Sequence, residues 1–187
     1  MAVHMSLRHA ALLAAVAVAV AVATVIAPAA DAQAAAPSCS SARASIARVS
    51  ARVIGGAVLC LVNAERATRG LAPLRDAAPL RTAARRFSAE MVASRFFAHV
   101  SPSGTTVGSR VRRAGYRNMS TVGENIGWGT GALATPAAIV RAWMQSPPHR
   151  AVILNGRFRE AGVGVTPGSP LDATGSGATF VLDVGTR

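Results

Sequence analysis

The sequence contains no lysine and few aromatic residues. Its 20 Lys plus Arg side chains are all arginines, against eight Asp plus Glu, and Phe, Trp and Tyr make up 4% of the chain. The arginines are not interleaved with the aromatic rings on which nucleic-acid bases stack, which argues against a specific nucleic-acid partner. The formal net charge of +12 favours anionic cell-envelope material as a partner, although an arginine-only composition is also typical of a GC-rich genome.

Long apolar runs are absent after residue 27. Before that point, Arg8 precedes an Ala/Val run over Ala10–Ala27, and Pro28 and the triplet 30–32 (Ala-Asp-Ala) follow. This pattern predicts a secretory signal peptide over residues 1–32. An uncleaved anchor helix is the alternative, because a run of this length nearly spans a bilayer. With cleavage, we expect a secreted, extracellular protein that starts at Gln33 and has no transmembrane anchor.

Cysteine is also scarce, with two residues in the whole chain, Cys39 and Cys60. In an oxidising compartment the two are expected to form a disulfide. The bridge would tie an N-terminal segment, 33–56, to a domain over 57–187. Two buried free thiols are the alternative, which is less expected outside the cytosol.

Apolar spacing predicts helices in the first part of the domain and strands at its end. Helical spacing is interrupted at Gly55-Gly56, which we expect to separate two helices. Helices followed by strands indicate an α+β fold. The predicted helices cover 41–54, 57–69, 79–97, 107–115, 136–144 and 149–154, and the predicted strands cover 161–166 and 178–184.

Three polar residues are candidates for chemistry. His99 and His149, the two histidines after the leader, each lie beside a proline turn, and Glu124 lies between them in a glycine-rich apolar run. Two imidazoles and a carboxylate are a plausible ligand set for Zn²⁺ or another divalent cation. The alternative is that the three are hydrogen-bonded polar groups that line a groove.

Templates for nucleophilic catalysis are missing. There is no Gly-x-Ser-x-Gly motif, and Ser101, Ser103 and Ser146 lie in proline turns, where turn hydrogen bonds are the ordinary role of serine. No catalytic residue is therefore assigned, and a non-enzymatic role is favoured.

Several motifs occur in a characteristic order. They cover residues 61–66 (LVNAER), 96–104 (FFAHVSPSG), 123–126 (GENI), 142–150 (AWMQSPPHR) and 161–164 (AGVG). In this order the chain resembles the CAP superfamily of cysteine-rich secretory, antigen five and pathogenesis-related proteins, also called SCP-domain proteins, in its bacterial secreted branch. The resemblance covers about residues 57–184.

The resemblance implies an α-β-α sandwich with a small antiparallel sheet between helical layers. By motif, it places His99, Glu124 and His149 in a cleft. Many eukaryotic members carry a second cleft glutamate on the helix that here holds Trp143, but this chain has Met, Gln and Ser at 144–146. The incomplete set argues against tight metal binding. Glu65 and Glu160 are expected to be structural.

Members of this family differ in function, so the fold does not define the activity. From the resemblance we expect a non-catalytic binding module that engages a small ligand, a lipid or a cell-envelope component through the His/Glu cleft. A metal-dependent hydrolase that uses the same cleft is one alternative. A basic wall-adhesion protein is the other.

Overall fold

The computed structural model describes residues 39–171 and 177–187, which fall within one compact unit. The predicted signal peptide lies outside the described residues. None of the described helices is long and apolar enough to cross a membrane. The described elements are α1 (Ala51–Ala67), β1 (Arg75–Asp76), α2 (Ala78–Ala93), α3 (Val107–Arg113), β2 (Thr121–Gly129), α4 (Pro136–Gln145), α5 (Pro147–Ile153), β3 (Glu160–Pro167) and β4 (Ala178–Thr186).

The strands form a four-stranded sheet in the order β1-β3-β4-β2. The pairs β2–β4 and β3–β4 are antiparallel, and β1 pairs with the start of β3 in parallel over two residues. The predicted strands β3 and β4 are confirmed. The short parallel strand β1 was not predicted, because two residues give no alternating pattern.

Helices cover both faces of the sheet, which confirms the predicted α-β-α sandwich. On one face α2 lies so close to β3 that a Cβ built on Gly162 or Gly164 would come within 1.9 to 2.2 Å of the α2 backbone. On the other face α1 and α4 share a buried core with β3 and β4, including Ile54, Trp143 and Phe180. Since successive strand residues point to opposite faces, neighbouring residues of one strand belong to different layers.

The predicted break at Gly55-Gly56 is wrong. Helix α1 runs through both glycines, residues 41–50 form turns, and the Ser50 side chain accepts the Val53 N–H at the start of the helix. A Cβ on Gly55 would lie 3.4 Å from the Val163 carbonyl oxygen. Glycine therefore permits close packing of α1 on β3, and this packing outweighs its low helix propensity.

The end of α2 and the start of α5 also differ from the prediction. Helix α2 ends at Ala93, before the predicted end at Phe97, because Arg95 adopts a positive φ of 51°. Helix α5 begins at Pro147, two residues before the predicted start. Proline is tolerated in the first turn of a helix, where its missing N–H has no helical partner.

The predicted disulfide is confirmed between Cys39 and Cys60, whose Cα atoms are 5.7 Å apart. The bridge joins the turns that precede α1 to the middle of α1. Replacing both cysteines by serine is expected to reduce the free energy of unfolding by about 3 kcal/mol, because the unfolded chain regains the entropy of an open loop. Chemical denaturation measures the loss, and an unchanged midpoint of unfolding would contradict the expectation.

The two glutamates expected to be structural make ion pairs. Glu65, in the last turn of α1, pairs with Arg69 just after the helix at 2.9 Å. Glu160 accepts hydrogen bonds from the Tyr116 hydroxyl at 2.6 Å and from Arg187 at 2.7 Å, which ties the end of the chain to the start of β3.

Candidate functional site

Strand β2 forms one edge of the sheet and carries Glu124 at its centre. His99 lies in the connection between α2 and α3, and His149 lies in the first turn of α5. The structure thus brings the two histidines to elements that flank the same edge strand.

A hydrogen-bonded chain links His99, Glu124 and Arg110. The Glu124 side chain is 2% exposed, and its Oε1 accepts from His99 Nδ1 at 2.8 Å. Its Oε2 accepts from Arg110 Nη2 at 2.6 Å. Both carboxylate oxygens are therefore engaged, and the Nδ1 bond leaves Nε2 as the open nitrogen of the His99 ring.

Arg110 is held by the loop that carries His99. Its Nη1 donates to the carbonyls of His99 at 3.1 Å and Thr105 at 2.8 Å, and its guanidinium lies 3.4 Å from the centre of the Phe87 ring. This buried arginine connects α3, the loop and β2. It therefore fixes the position of both His99 and Glu124.

His149 joins the site from the opposite side. Its Nδ1 is 2.8 Å from the Ser146 hydroxyl, and its carbonyl accepts from the side-chain amide of Asn125, the residue after Glu124, at 3.0 Å. Partial burial, and then the positive charge of His99, lower the pKa of His149 below its usual range. His149 is therefore more readily neutral than a free histidine near pH 6.

A second carboxyl lies next to Glu124. Asp183 on β4 stands directly opposite Glu124 in the β2–β4 ladder and is completely buried. As a carboxylate it has no donor on either oxygen among the described residues, whereas a protonated Asp183 can donate to Glu124. Burial, and then the negative charge of Glu124, raise the pKa of Asp183 well above its usual range, against the opposing charge of Arg110. Like charges directly opposite in a sheet are destabilising, so a neutral Asp183 is favoured.

The substitution Asp183→Asn is expected to stabilise the protein at pH 7 by roughly 1–3 kcal/mol. The unfolded chain ionises this carboxyl above about pH 3.9, whereas the folded protein resists ionisation. The wild type therefore loses stability as the pH rises above that value, and the amide variant avoids this loss. Melting curves at pH 4 and pH 7 measure the difference, and a variant that melts below the wild type at pH 7 would contradict it.

The predicted metal site does not fit this arrangement. Within residues 39–171 and 177–187, no group of three or more His, Cys, Asp and Glu side chains could hold a metal ion. The Arg110 guanidinium lies on Glu124 Oε2 at 2.6 Å, where it would repel a second cation. The assignment of His99, Glu124 and His149 as metal ligands stays a prediction.

A calorimetric titration with Zn²⁺ tests the metal prediction. We expect weak binding, because Arg110 neutralises the carboxylate that a cation would need. The double variant His99→Ala/His149→Ala is the control. Saturable one-to-one binding that disappears in this variant would show that Arg110 gives way to the metal.

Arg110 and Asp183 are the site residues that the sequence did not reveal. Arg110 is one of many scattered arginines and has no distinguishing motif. Asp183 had a signal, since it interrupts an otherwise apolar run over residues 180–184 (FVLDV). An acid within a strand that is buried on both faces is a candidate for a functional or strained position.

With the geometry of the site in place, similarity to known proteins assigns the family. The model of the Cysteine-rich secretory protein family (CAP) matches residues 59–183, which is most of the chain. The chain belongs to this family. The resemblance drawn from the ordered motifs is thereby confirmed.

Bacterial relatives and solved structures agree with the family assignment. The chain is 39% identical over 107 residues to the uncharacterized protein YkwD of Bacillus subtilis, covering 57% of this chain and 40% of that protein. It is 33% identical over 108 residues to the uncharacterized membrane protein YlbC of the same organism, covering 58% and 30%. The chain thus spans less than half the length of these relatives.

Two solved structures share the fold. One is an extracellular SCP-domain protein of Bacillus anthracis, with a TM-score of 0.61 and 23% identity, over 73% of this chain and 41% of that one. The other is an outer surface protein of Borrelia burgdorferi, with a TM-score of 0.58 and 21% identity, over 70% and 90%. At these identities the likeness establishes the fold alone.

Proposed function

We propose that this CAP-domain chain is an exported, non-catalytic binding module whose His/Glu cleft takes a small polar ligand of the cell envelope. Export is supported by the predicted leader and by the Cys39–Cys60 disulfide, a bond typical of proteins outside the cytosol. It is also in keeping with the extracellular and outer-surface proteins that share the fold.

The paired state of Glu124 is the observation that carries the binding role. Both of its oxygens are engaged, one by His99 and one by Arg110, so this carboxylate is neutralised and held in place. A catalytic base must lie within reach of a substrate proton, and the Glu124 side chain is only 2% exposed. Glu124 instead orients the His99 ring, as a carboxylate orients a histidine in many binding sites.

His99 presents the group that a ligand would meet. Its side chain is 55% exposed, and the bond from Nδ1 to Glu124 leaves Nε2 to accept a hydrogen bond when the ring is neutral. A hydroxyl group of a sugar is a suitable donor. We therefore favour a glycan of the cell envelope as the ligand class, with His149 as the second contact.

An apolar groove between α1 and α4 supports a second candidate, a lipid ligand. The groove has a volume of about 350 Å³. Its walls include the apolar side chains of Leu61, Val140 and Met144 and the polar side chains of Glu65, Arg141 and Gln145. Apolar walls with few polar groups are typical of small-molecule sites. A fatty acid would place its chain in the groove and its carboxylate near Arg141.

Calorimetry with two probes separates the candidates. The first probe is an oligomer of N-acetylglucosamine, and the second is palmitate. The variant His99→Phe removes both ring nitrogens from an exposed side chain, and Ala64→Trp fills the groove between α1 and α4. Glycan binding that is lost only in His99→Phe supports the cleft, whereas palmitate binding that is lost only in Ala64→Trp supports the groove.

The two alternative functions predict different results for the same protein and variants. A metal-dependent hydrolase would release products from the glycan and stop in the presence of a chelator. Turnover that is abolished by His149→Ala would overturn the non-catalytic proposal. A wall-adhesion protein would bind anionic envelope material with an affinity that falls steeply with salt.

A further inference from the structure

The edge of β3 opposite the His/Glu cleft is largely unpaired, and its residues Val163 and Val165 are 7% and 4% exposed. Strand β1 pairs only with Glu160 and Ala161, and on this side of β3 no other described strand continues beside Gly162–Pro167. The Ala161 carbonyl accepts from Ala77 on the β1 side at 2.7 Å. By the two-residue alternation of a strand, the N–H and C=O groups of Val163 and Val165 point to this same open side.

A groove follows this edge between α1 and α2. Two adjoining cavities of about 180 and 230 Å³ share the lining residues Arg52, Arg81 and Val163. The first extends along α1 past Gly56, and the second extends along β3 to Val165. We call this the edge groove, lined by Arg52, Gly55, Gly56, Asp76, Arg81, Arg85, Val163 and Val165.

The edge groove is positively charged. Arg52 projects from α1, and Arg81 and Arg85 project from α2, one helical turn apart. Only Arg81 has an acidic partner, Asp76. Arg52 and Arg85 make no ion pair with any residue that the structure describes, so the groove keeps two uncompensated positive charges.

Gly55 and Gly56 of α1 have no side chains to fill the edge groove that they line. A Cβ on Gly56 would meet no atom within 4 Å, so this position opens into space. The core therefore does not require glycine at position 56, and a larger residue would have intruded into the groove.

We propose that the edge groove binds an extended acidic peptide, which adds a strand to β3. The peptide backbone would pair with the N–H and C=O groups of Val163 and Val165, as in other cases of strand addition. Its acidic side chains would pair with Arg52 and Arg85. This binding site is separate from the His/Glu cleft and does not depend on the ligand proposed there.

Charge decides between a partner peptide and a second copy of this chain. Pairing two β3 edges would bring two sets of arginines together, and like charges brought together disfavour such a complex. An acidic strand has the complementary charge. The backbone of such a strand can also form hydrogen bonds with the unpaired N–H and C=O groups of β3, which a polyanion without amide groups cannot do.

Fluorescence anisotropy with a labelled peptide of alternating Glu and Val, about eight residues long, tests the proposal on the purified, disulfide-bonded protein. Three further probes are a Lys/Val peptide of equal length, the Glu/Val peptide with alternate amides N-methylated, and inorganic polyphosphate. We expect the unmodified Glu/Val peptide to bind, and both the N-methylated and the Lys/Val peptides to bind at least about tenfold more weakly.

Matched variants locate the binding. Gly56→Phe fills the edge groove and is expected to lower the affinity for the Glu/Val peptide at least about tenfold. Ala67→Phe, at the exposed end of the same helix, is expected to leave this affinity unchanged. Arg52→Glu/Arg85→Glu is expected to abolish binding, and Arg117→Glu/Arg157→Glu controls for the same change in net charge.

Several results would overturn the proposal. One is the absence of binding by the Glu/Val peptide. Another is equal binding of the N-methylated peptide or polyphosphate, which would make the groove a general polyanion site. A third is full binding by Gly56→Phe, which would place the peptide elsewhere.

Discussion

Replacement of Arg66 by methionine is expected to reduce the free energy of unfolding by about 4 kcal/mol or more. Arg66 is fully buried in α1, and no acid pairs with it among the residues that the structure describes. Its guanidinium instead donates to four carbonyls, those of Ala72, Ile153, Asn155 and Phe158.

The cost follows from what the substitution leaves behind. Each buried carbonyl that loses its donor costs about 1–3 kcal/mol, and methionine offers no donor. The four carbonyls belong to the connection after α1, to the last residue of α5 and to the segment between α5 and β3. Arg66 therefore ties α1 and the connection after it to a segment 87 to 92 positions further along the chain.

Urea denaturation of Arg66→Met beside Arg69→Met measures this effect. Arg69 lies one turn further along the chain and pairs with Glu65 on the surface, so its loss is expected to change stability by less than about 1 kcal/mol. Equal losses in the two variants would show that the carbonyl contacts of Arg66 contribute little.

The sequence revealed most of the elements of the fold but not the long-range contacts that fix their ends. Helices α2, α3 and α4 and strands β3 and β4 have regular apolar spacing, and their predictions are confirmed. The error at Gly55 has a tertiary cause, because the contact with Val163 comes from a residue more than a hundred positions away. Local propensity contains no such information.

The candidate site shows the same division between local and long-range information. His99, Glu124 and His149 were recognisable as rare polar residues beside turns and glycines, and the structure places His99 on Glu124. The partner on the other oxygen, Arg110, could not be distinguished from other arginines by type or spacing. Asp183 becomes meaningful only when the β2–β4 register places it opposite Glu124.

Replacement of Arg110 by methionine is expected to reduce the free energy of unfolding at pH 7 by about 3–5 kcal/mol. Arg110 is 7% exposed, and Glu124 and Asp183 beside it are buried as well. Without the guanidinium, Glu124 loses its countercharge, and the carbonyls of His99 and Thr105 lose a donor. The removal of one partner from a buried ion pair leaves an uncompensated charge, which costs more than the pair itself contributes.

The stability deficit of Arg110→Met is expected to depend on pH. Acid neutralises a carboxylate that has lost its countercharge, so the deficit should narrow as the pH falls from 7 towards 4. The double variant Arg110→Met/Asp183→Asn is expected to recover part of the loss at pH 7, since it removes one of the two acids. Because Asp183→Asn is itself expected to stabilise the protein, only a recovery larger than its effect in the wild-type background indicates coupling between the two positions, which a double-mutant cycle measures.

Two variants control for other roles of Arg110. Arg112→Met changes an exposed arginine on the same helix and is expected to have little effect. Arg110→Lys keeps the charge but not the planar group that reaches Glu124 and two carbonyls at once, so an intermediate loss is expected. A deficit in Arg110→Met that stays constant between pH 4 and pH 7 would mean that packing on Phe87, rather than the charge on Glu124, accounts for the contribution of Arg110.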